Sequence, residues 1–213
     1  MAGGAAKSAL SAGAWWRMNY FAHLTLAQPT AASKVGNLLG DFMRGVDEAS
    51  LPPPVRLGLR NHRLVDRFTD MHPRVRESRW LFSPHRRRFA GVALDVLFDH
   101  FLIRHWSRFY TQSLDSVITR DYALLRQGEI LMPEPMRRTT ERLVTLDIFR
   151  RYQDLDQLGE VLDRIAARIR FANQFAGSIE DIRAHYGELE QVFLAVYPQL
   201  RRVVRGACVE RGR

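Results

Sequence analysis

The chain has 213 residues, enough for one domain with a substantial core, and its 46% hydrophobic and 26% charged residues fit a globular protein. No run approaches the roughly eighteen apolar residues of a membrane span, so no membrane role is expected. The formal charge is +9, and all but Lys7 and Lys34 of the 32 basic residues are arginine. A single cysteine, Cys208, excludes an internal disulfide and any cysteine-built zinc site. It fits a reducing cytoplasm, and it lies in a short tail where no role is expected for it.

Residues 1–17 are small and Ala/Gly-rich and lack the apolar stretch and cleavage pattern of a signal peptide, so they read as a disordered leader. The domain is expected over residues 18–205, with 206–213 as the tail. Met18–Gln28 carries alternating apolar residues up to Pro29. Ser33 is a candidate cap for a helix through Asp41 to Arg44, stopped by Gly45. Pro52–Pro54 opens a helix to about Met71, and Val75–Phe82 forms a short one. Gly91–Tyr110 is apolar nearly all round and reads as a buried central helix. Leu114–Met132, Pro135–Tyr152, Asp156–Phe171 and Ser178–Arg205 follow, the last with a capping-box pattern at Ser178–Asp181. Neither strand–turn–strand patterns nor phosphate-loop motifs occur. The expected fold is all-α, a single bundle of roughly eight helices.

Polar residues concentrate on three of these segments. His62, Asp66 and Asp70 recur every four residues, which aligns them on one stripe of a helix. Two carboxylates and an imidazole so placed suit a hard or borderline metal ion. Arg56, Arg60, Arg63 and Arg67 fall within an arc of about 60° on the same helix, and they belong to a window that alone carries a local excess of positive charge. Such a field draws anionic partners without choosing among nucleic acid, acidic protein and lipid. The Gly36–Phe42 segment sets Asn37 and Asp41 four apart, between two glycines that a helix tolerates where something must come close. Asp95, Asp99, His100 and His105 lie on the apolar central helix, where burial is costly unless they are paired or metal-bound. Structural readings remain open for each segment: ion pairs with neighbouring arginines for the first, tight helix packing for the second, and a buried Asp–His or Asp–Arg network for the third. His23 sits in an apolar run where a lone histidine is usually a core residue.

Four segments occur in order: Met18-Asn19-Tyr20-Phe21-Ala22-His23-Leu24, Gly36-Asn37-Leu38-Leu39-Gly40-Asp41-Phe42, His62-Arg63-x-x-Asp66-x-x-Thr69-Asp70, and Leu94-Asp95-x-x-x-Asp99-His100-Phe101-Leu102-x-x-His105-Trp106. Together they closely resemble the acyl carrier protein phosphodiesterase family, over about Met18 to Val204. The resemblance implies a divergent branch of the helical HD phosphohydrolases, removal of 4′-phosphopantetheine from holo-acyl carrier protein, manganese as the usual metal, and a critical role for Asp41. The adjacent His-Asp pair that names the wider superfamily is not present in that order. On this basis Asp41, His62, Asp66, Asp99 and His100 are the expected metal ligands. His105 or His23 is the expected proton donor to the departing serine, oriented by Asp95. The row Arg56, Arg60, Arg63 and Arg67 is the expected dock for the acidic carrier. Two other readings stand beside this one: a phosphohydrolase of a small nucleotide or other phosphoester, and a non-enzymatic basic helical nucleic-acid binder. The Asp/His clustering weighs against the latter.

Overall fold

The computed structural model describes residues 20–169 and 173–210. The expected leader, Met18 and Asn19 of the first motif, and the expected helix end at Phe171 lie outside the described residues. Among those residues there are twelve α-helices and no strands, so the all-α expectation holds. The larger number has two origins: Tyr20–Leu26, inside the alternating run, is helical, and three expected helices are each broken in two. The central helix ends as α5 (Ala90–Arg104), and His105 at φ −101°, ψ 21° starts α6 (Trp106–Phe109). The segment after Pro133 divides into α8 (Glu134–Thr145) and α9 (Ile148–Arg151) around Asp147, which takes the left-handed conformation that Asp tolerates better than most residues. The last expected helix divides into α11 (Ser178–Ala184) and α12 (Tyr186–Ala207) at His185.

The remaining helices are α1 (Tyr20–Leu26), α2 (Ala31–Leu39), α3 (Pro53–Met71), α4 (Pro73–Ser78), α7 (Leu114–Gln127) and α10 (Leu155–Arg168). Their ends follow local chemistry. The Thr30 hydroxyl, rather than Ser33, caps α2 by accepting the Ser33 N–H at 3.3 Å. Pro53 opens α3 where no amide hydrogen is needed. The capping box at Ser178 does not form. Gly177, at φ 72°, precedes the helix, and Asp181 instead accepts the backbone and hydroxyl hydrogens of Ser83 at 3.2 and 2.8 Å.

The core runs from α1 to α12, and α5 lies at its centre against α1, α10 and α12. Two contacts position the polar site. First, α2 and α3 cross at paired glycines. A Cβ on Gly36 would meet the Val55 carbonyl oxygen at 2.3 Å and the Gly58 Cα at 2.8 Å. Only hydrogen side chains let the two backbones approach this closely. Second, Asp99 of α5, fully buried, accepts the N–H groups of Phe21 and Ala22 at 2.9 and 2.8 Å. It thereby satisfies two of the orphan donors at the start of α1. A buried ion pair, Lys34–Asp121 at 3.0 Å, ties α2 to α7, and the Lys34 ammonium also donates to the Leu24 carbonyl at 2.6 Å.

Candidate metal and catalytic site

The glycine crossing presses the end of α2 onto the middle of α3. The Asn37 carbonyl there accepts a hydrogen bond from His62 Nδ1 at 2.8 Å. A carbonyl can only accept, so Nδ1 carries a proton and Nε2 faces the other way. It faces Asp66, one turn on, at 3.2 Å. Gly40 makes room, since a Cβ there would lie 2.0 Å from His62 Cδ2 and Nε2. From α1, whose start is fixed by Asp99, His23 stacks on His62 with ring centroids 4.3 Å apart and reaches Asp66 with Nε2 at 3.1 Å. The result is one carboxylate gripped by two stacked imidazoles. His23 is fully buried, His62 nearly so, and the Asp66 side chain is 20% exposed, so the cluster opens to solvent at its carboxylate.

The electrostatics follow. Burial pushes the Asp66 carboxyl up, but the hydrogen bonds and charges of His23 and His62 outweigh it and hold Asp66 well below the usual carboxylate range. Burial likewise pushes His62 down, and Asp66, then Asp41, then the Asn37 carbonyl together bring it above its ordinary value. Asp41 sits on the 3₁₀ turn Gly40–Phe42 and is 7% exposed. Its charge reaches both His62 and the buried phenol of Tyr20, which burial and then Asp41 raise.

His23, His62 and Asp66 offer three ligand atoms within 4.8 Å of one another, the one such group among the described residues. Asp66 Oδ1 stands 3.1 Å from His23 Nε2 and Oδ2 stands 3.2 Å from His62 Nε2, so the two imidazoles converge on one carboxylate from either side. The chemistry of two imidazoles and a carboxylate fits a first-row divalent ion. The Asn37 carbonyl fixes the His62 tautomer as outer partners of ligating histidines do.

Several residues grouped with this site from sequence lie elsewhere. Asp99 spends both oxygens on α1. Burial raises its carboxyl, and the two backbone donors oppose that rise. His100 donates from Nδ1 to the Tyr152 carbonyl at 2.6 Å and takes the Tyr186 hydroxyl on Nε2 at 2.8 Å, which leaves no ring nitrogen for an ion. His105 pairs with Glu190 at 2.8 Å. Asp95 is half-buried on α5 and joins no group of three ligands. Asp70 turns to Arg79 at 3.1 Å. His23, read from sequence as a proton donor or core residue, is fully buried and lies with His62 and Asp66 in the group that could hold an ion. The outer residues Asn37 and Gly40 had a local signal, being part of the Gly36–Phe42 motif. Tyr152, Tyr186 and Glu190 had none. On the outer side of α3, Arg60, Arg63 and Arg67 are exposed and Arg56 half-buried. Arg63 holds both oxygens of Glu48 at 3.1 and 2.7 Å. The Arg63 hydrogen bond, followed by the charges of Arg63, Arg60 and Arg56, lowers the Glu48 carboxyl.

Among the described residues no helix is long and apolar enough to cross a membrane. No solved structure matches the chain. Residues 18–200 match the family described as acyl carrier protein phosphodiesterase. Proteins bearing that name include one from Yersinia pestis, 38% identical over 87% of this chain and 96% of its own length. Another is from Shigella boydii, 40% identical over 86% and 95%, and a third from Escherichia coli O157:H7, 39% identical over the same shares. Similarity of this extent, across all four motifs and the helices that carry the site, shows that the chain belongs to the acyl carrier protein phosphodiesterase family.

Proposed function

We propose that this protein hydrolyses the phosphodiester that joins 4′-phosphopantetheine to a serine of acyl carrier protein, at a centre built from His23, His62 and Asp66 with Asp41 beside it. One observation carries the reading: donors from α1 and α3 converge on Asp66 beside the arginine row, in a chain of this family. A divalent ion, manganese on the family resemblance, would be held by His23, His62 and Asp66 and would supply positive charge for the phosphoryl oxygens and an acidified water. The chain's own residues do the rest. Asn37 holds His62 in one tautomer. Asp66 keeps both imidazoles in register, and its charge persists across the working pH range. Asp41, close to His62, accepts the proton of the attacking water. Arg60, Arg63 and Arg67 attract the acidic carrier and orient its modified serine.

Purified protein incubated with holo-acyl carrier protein and manganese should leave a carrier lighter by the phosphopantetheine mass, as read by mass spectrometry. Chelator and Asp41→Ala should each abolish the change. An unaltered carrier, from folded and metal-loaded protein, refutes the reading. Arg60→Glu should raise KM for the carrier about fivefold at low salt, the factor for a loss of about 1 kcal/mol of surface attraction, with kcat unchanged. An unchanged KM would remove the arginine row from docking.

A further inference from the structure

A cavity of about 460 Å³ opens where α1, α2, α3, α7 and the end of α12 meet. Thr25, Lys34, Asn61, Arg120, Arg201 and Arg205 line it. Four of these are cations. Asp121 pairs with two of them, Lys34 at 3.0 Å and Arg120 at 3.3 Å, and its single charge offsets one. Arg201 lies over the Tyr110 ring, 4.5 Å from its centroid, and neither it nor Arg205 forms an ion pair among the described residues. A cavity with two unbalanced guanidinium groups favours an anion.

An anion is already seated at its edge, and the chain supplies it. After α12 the backbone turns through Cys208 at φ 48° and brings Glu210 back to α2. The Glu210 carboxylate accepts hydrogen bonds from the Ser33 hydroxyl and from Asn37 Nδ2, the latter at 2.8 Å. Both partners are buried, Asn37 completely. The orientation of Asn37 is fixed, because Asn61 Nδ2 donates to its Oδ1 at 2.9 Å and so leaves its amino group to face the carboxylate. Ser33 and Asn37 therefore form a prepared pair of donors facing an anion, and among the described residues Glu210 is the only carboxylate that lines the cavity. The volume lies within the range of small-molecule pockets and exceeds what a bare phosphate needs. Gln112 and Tyr110 add hydrogen-bonding groups for a polar organic part.

We propose that this cavity binds a small organic phosphate monoester, and that the Glu210 carboxylate occupies its anion seat until such a ligand displaces it. A monoester dianion brings two negative charges to a cavity that Arg201 and Arg205 line, where the tethered Glu210 carboxylate brings one. Asn37 joins this seat to His62: its carbonyl holds the imidazole and its amide the Glu210 carboxylate. The proposal does not rest on the hydrolytic reading.

The test is calorimetric titration of the full chain, treated with chelator, using 4′-phosphopantetheine, glycerol 3-phosphate and inorganic phosphate as probes. Glu210→Ala should bind at least one of the two esters about tenfold more tightly than the wild type, as expected if the tail is closed about nine-tenths of the time. Adding Arg205→Ala should reverse the gain, and Asp66→Asn should leave it intact. Equal affinity in wild type and Glu210→Ala, or no ester binding to either, overturns the proposal. So does a site lost with Asp66→Asn but indifferent to Arg205→Ala. Inorganic phosphate bound as tightly as the esters would overturn the assignment to an organic ligand.

Discussion

Gly40→Ala tests the site through a single methyl group. Gly40 has φ −53° and ψ −33°, which any residue adopts, so the requirement there is space alone. The added carbon would stand 2.0 Å from two atoms of the His62 ring and 2.7 Å from a third. Carbon atoms in contact normally sit about 3.5–4.0 Å apart, so the ring must move by more than an ångström. Nδ1 is fixed by the Asn37 carbonyl and Nε2 by Asp66, so any such move breaks at least one of the two bonds. Overpacking of this kind costs about 1–3 kcal/mol, and each kcal/mol lowers Tm by about 2–4 °C in a chain of this size. Losing the outer partner of a ligating histidine typically costs about 10–100-fold in metal affinity or activity. Manganese titration followed by the rise in Tm, alongside carrier hydrolysis, reads both effects. Gly36→Ala should differ, because its clash is with the Val55 and Gly58 backbones, so stability should fall at least as far. Gly187→Ala, in the first turn of α12 with nothing near, should raise stability by up to about 1 kcal/mol. A Gly40→Ala protein with the wild-type metal response and turnover would refute the geometry.

Further outcomes follow from the buried polar groups. Lys34→Met leaves the buried Asp121 with the Arg120 guanidinium, 3.3 Å away, as its remaining cation, which should cost up to about 3 kcal/mol in urea unfolding, and Lys34→Met/Asp121→Leu should recover most of it. Asp99→Ala removes the double cap of α1 and should cost about 2 kcal/mol or more, whereas Asp66→Asn should abolish the manganese response at a smaller cost in stability. Burial holds His100 below its ordinary value, so the unfolded chain binds the proton more readily. Its share of stability is complete above about pH 6.5 and is lost as pH falls through the unfolded value towards the folded one. Unfolding free energies at pH 8 and pH 5 should therefore differ less in His100→Gln than in the wild type, and an unchanged difference would exclude His100 as the cause.

The helices with chemical punctuation were legible in the sequence. Pro53 marks the start of α3 and the apolar run of α5 signalled its burial, while α4 begins at Pro73 and ends at Ser78 rather than spanning Val75–Phe82. The breaks at His105, Asp147 and His185 were not legible, because none carries a glycine or proline. At each, a residue with no strong bar to the conformation takes φ and ψ values set by the packing of the two helices it joins, and that packing is non-local. The failed capping box has the same source. Asp181 found a better donor in Ser83, 98 positions away, than the amides of its own helix could offer.

The site divides along the same line. The pairing of His62 with Asp66 on one face of α3 was legible because four-residue spacing is a local property that survives folding unchanged. Asp99 and His100 were misplaced by a sound premise with an incomplete list of remedies. Buried carboxylates and imidazoles do need partners, but backbone amides and a tyrosine hydroxyl satisfy them as fully as a metal would, and composition cannot tell these apart. The structure nevertheless gives Asp99 a part in the site. By fixing the first turn of α1, through the Phe21 and Ala22 amides, it sets where His23 emerges beside His62 and Asp66.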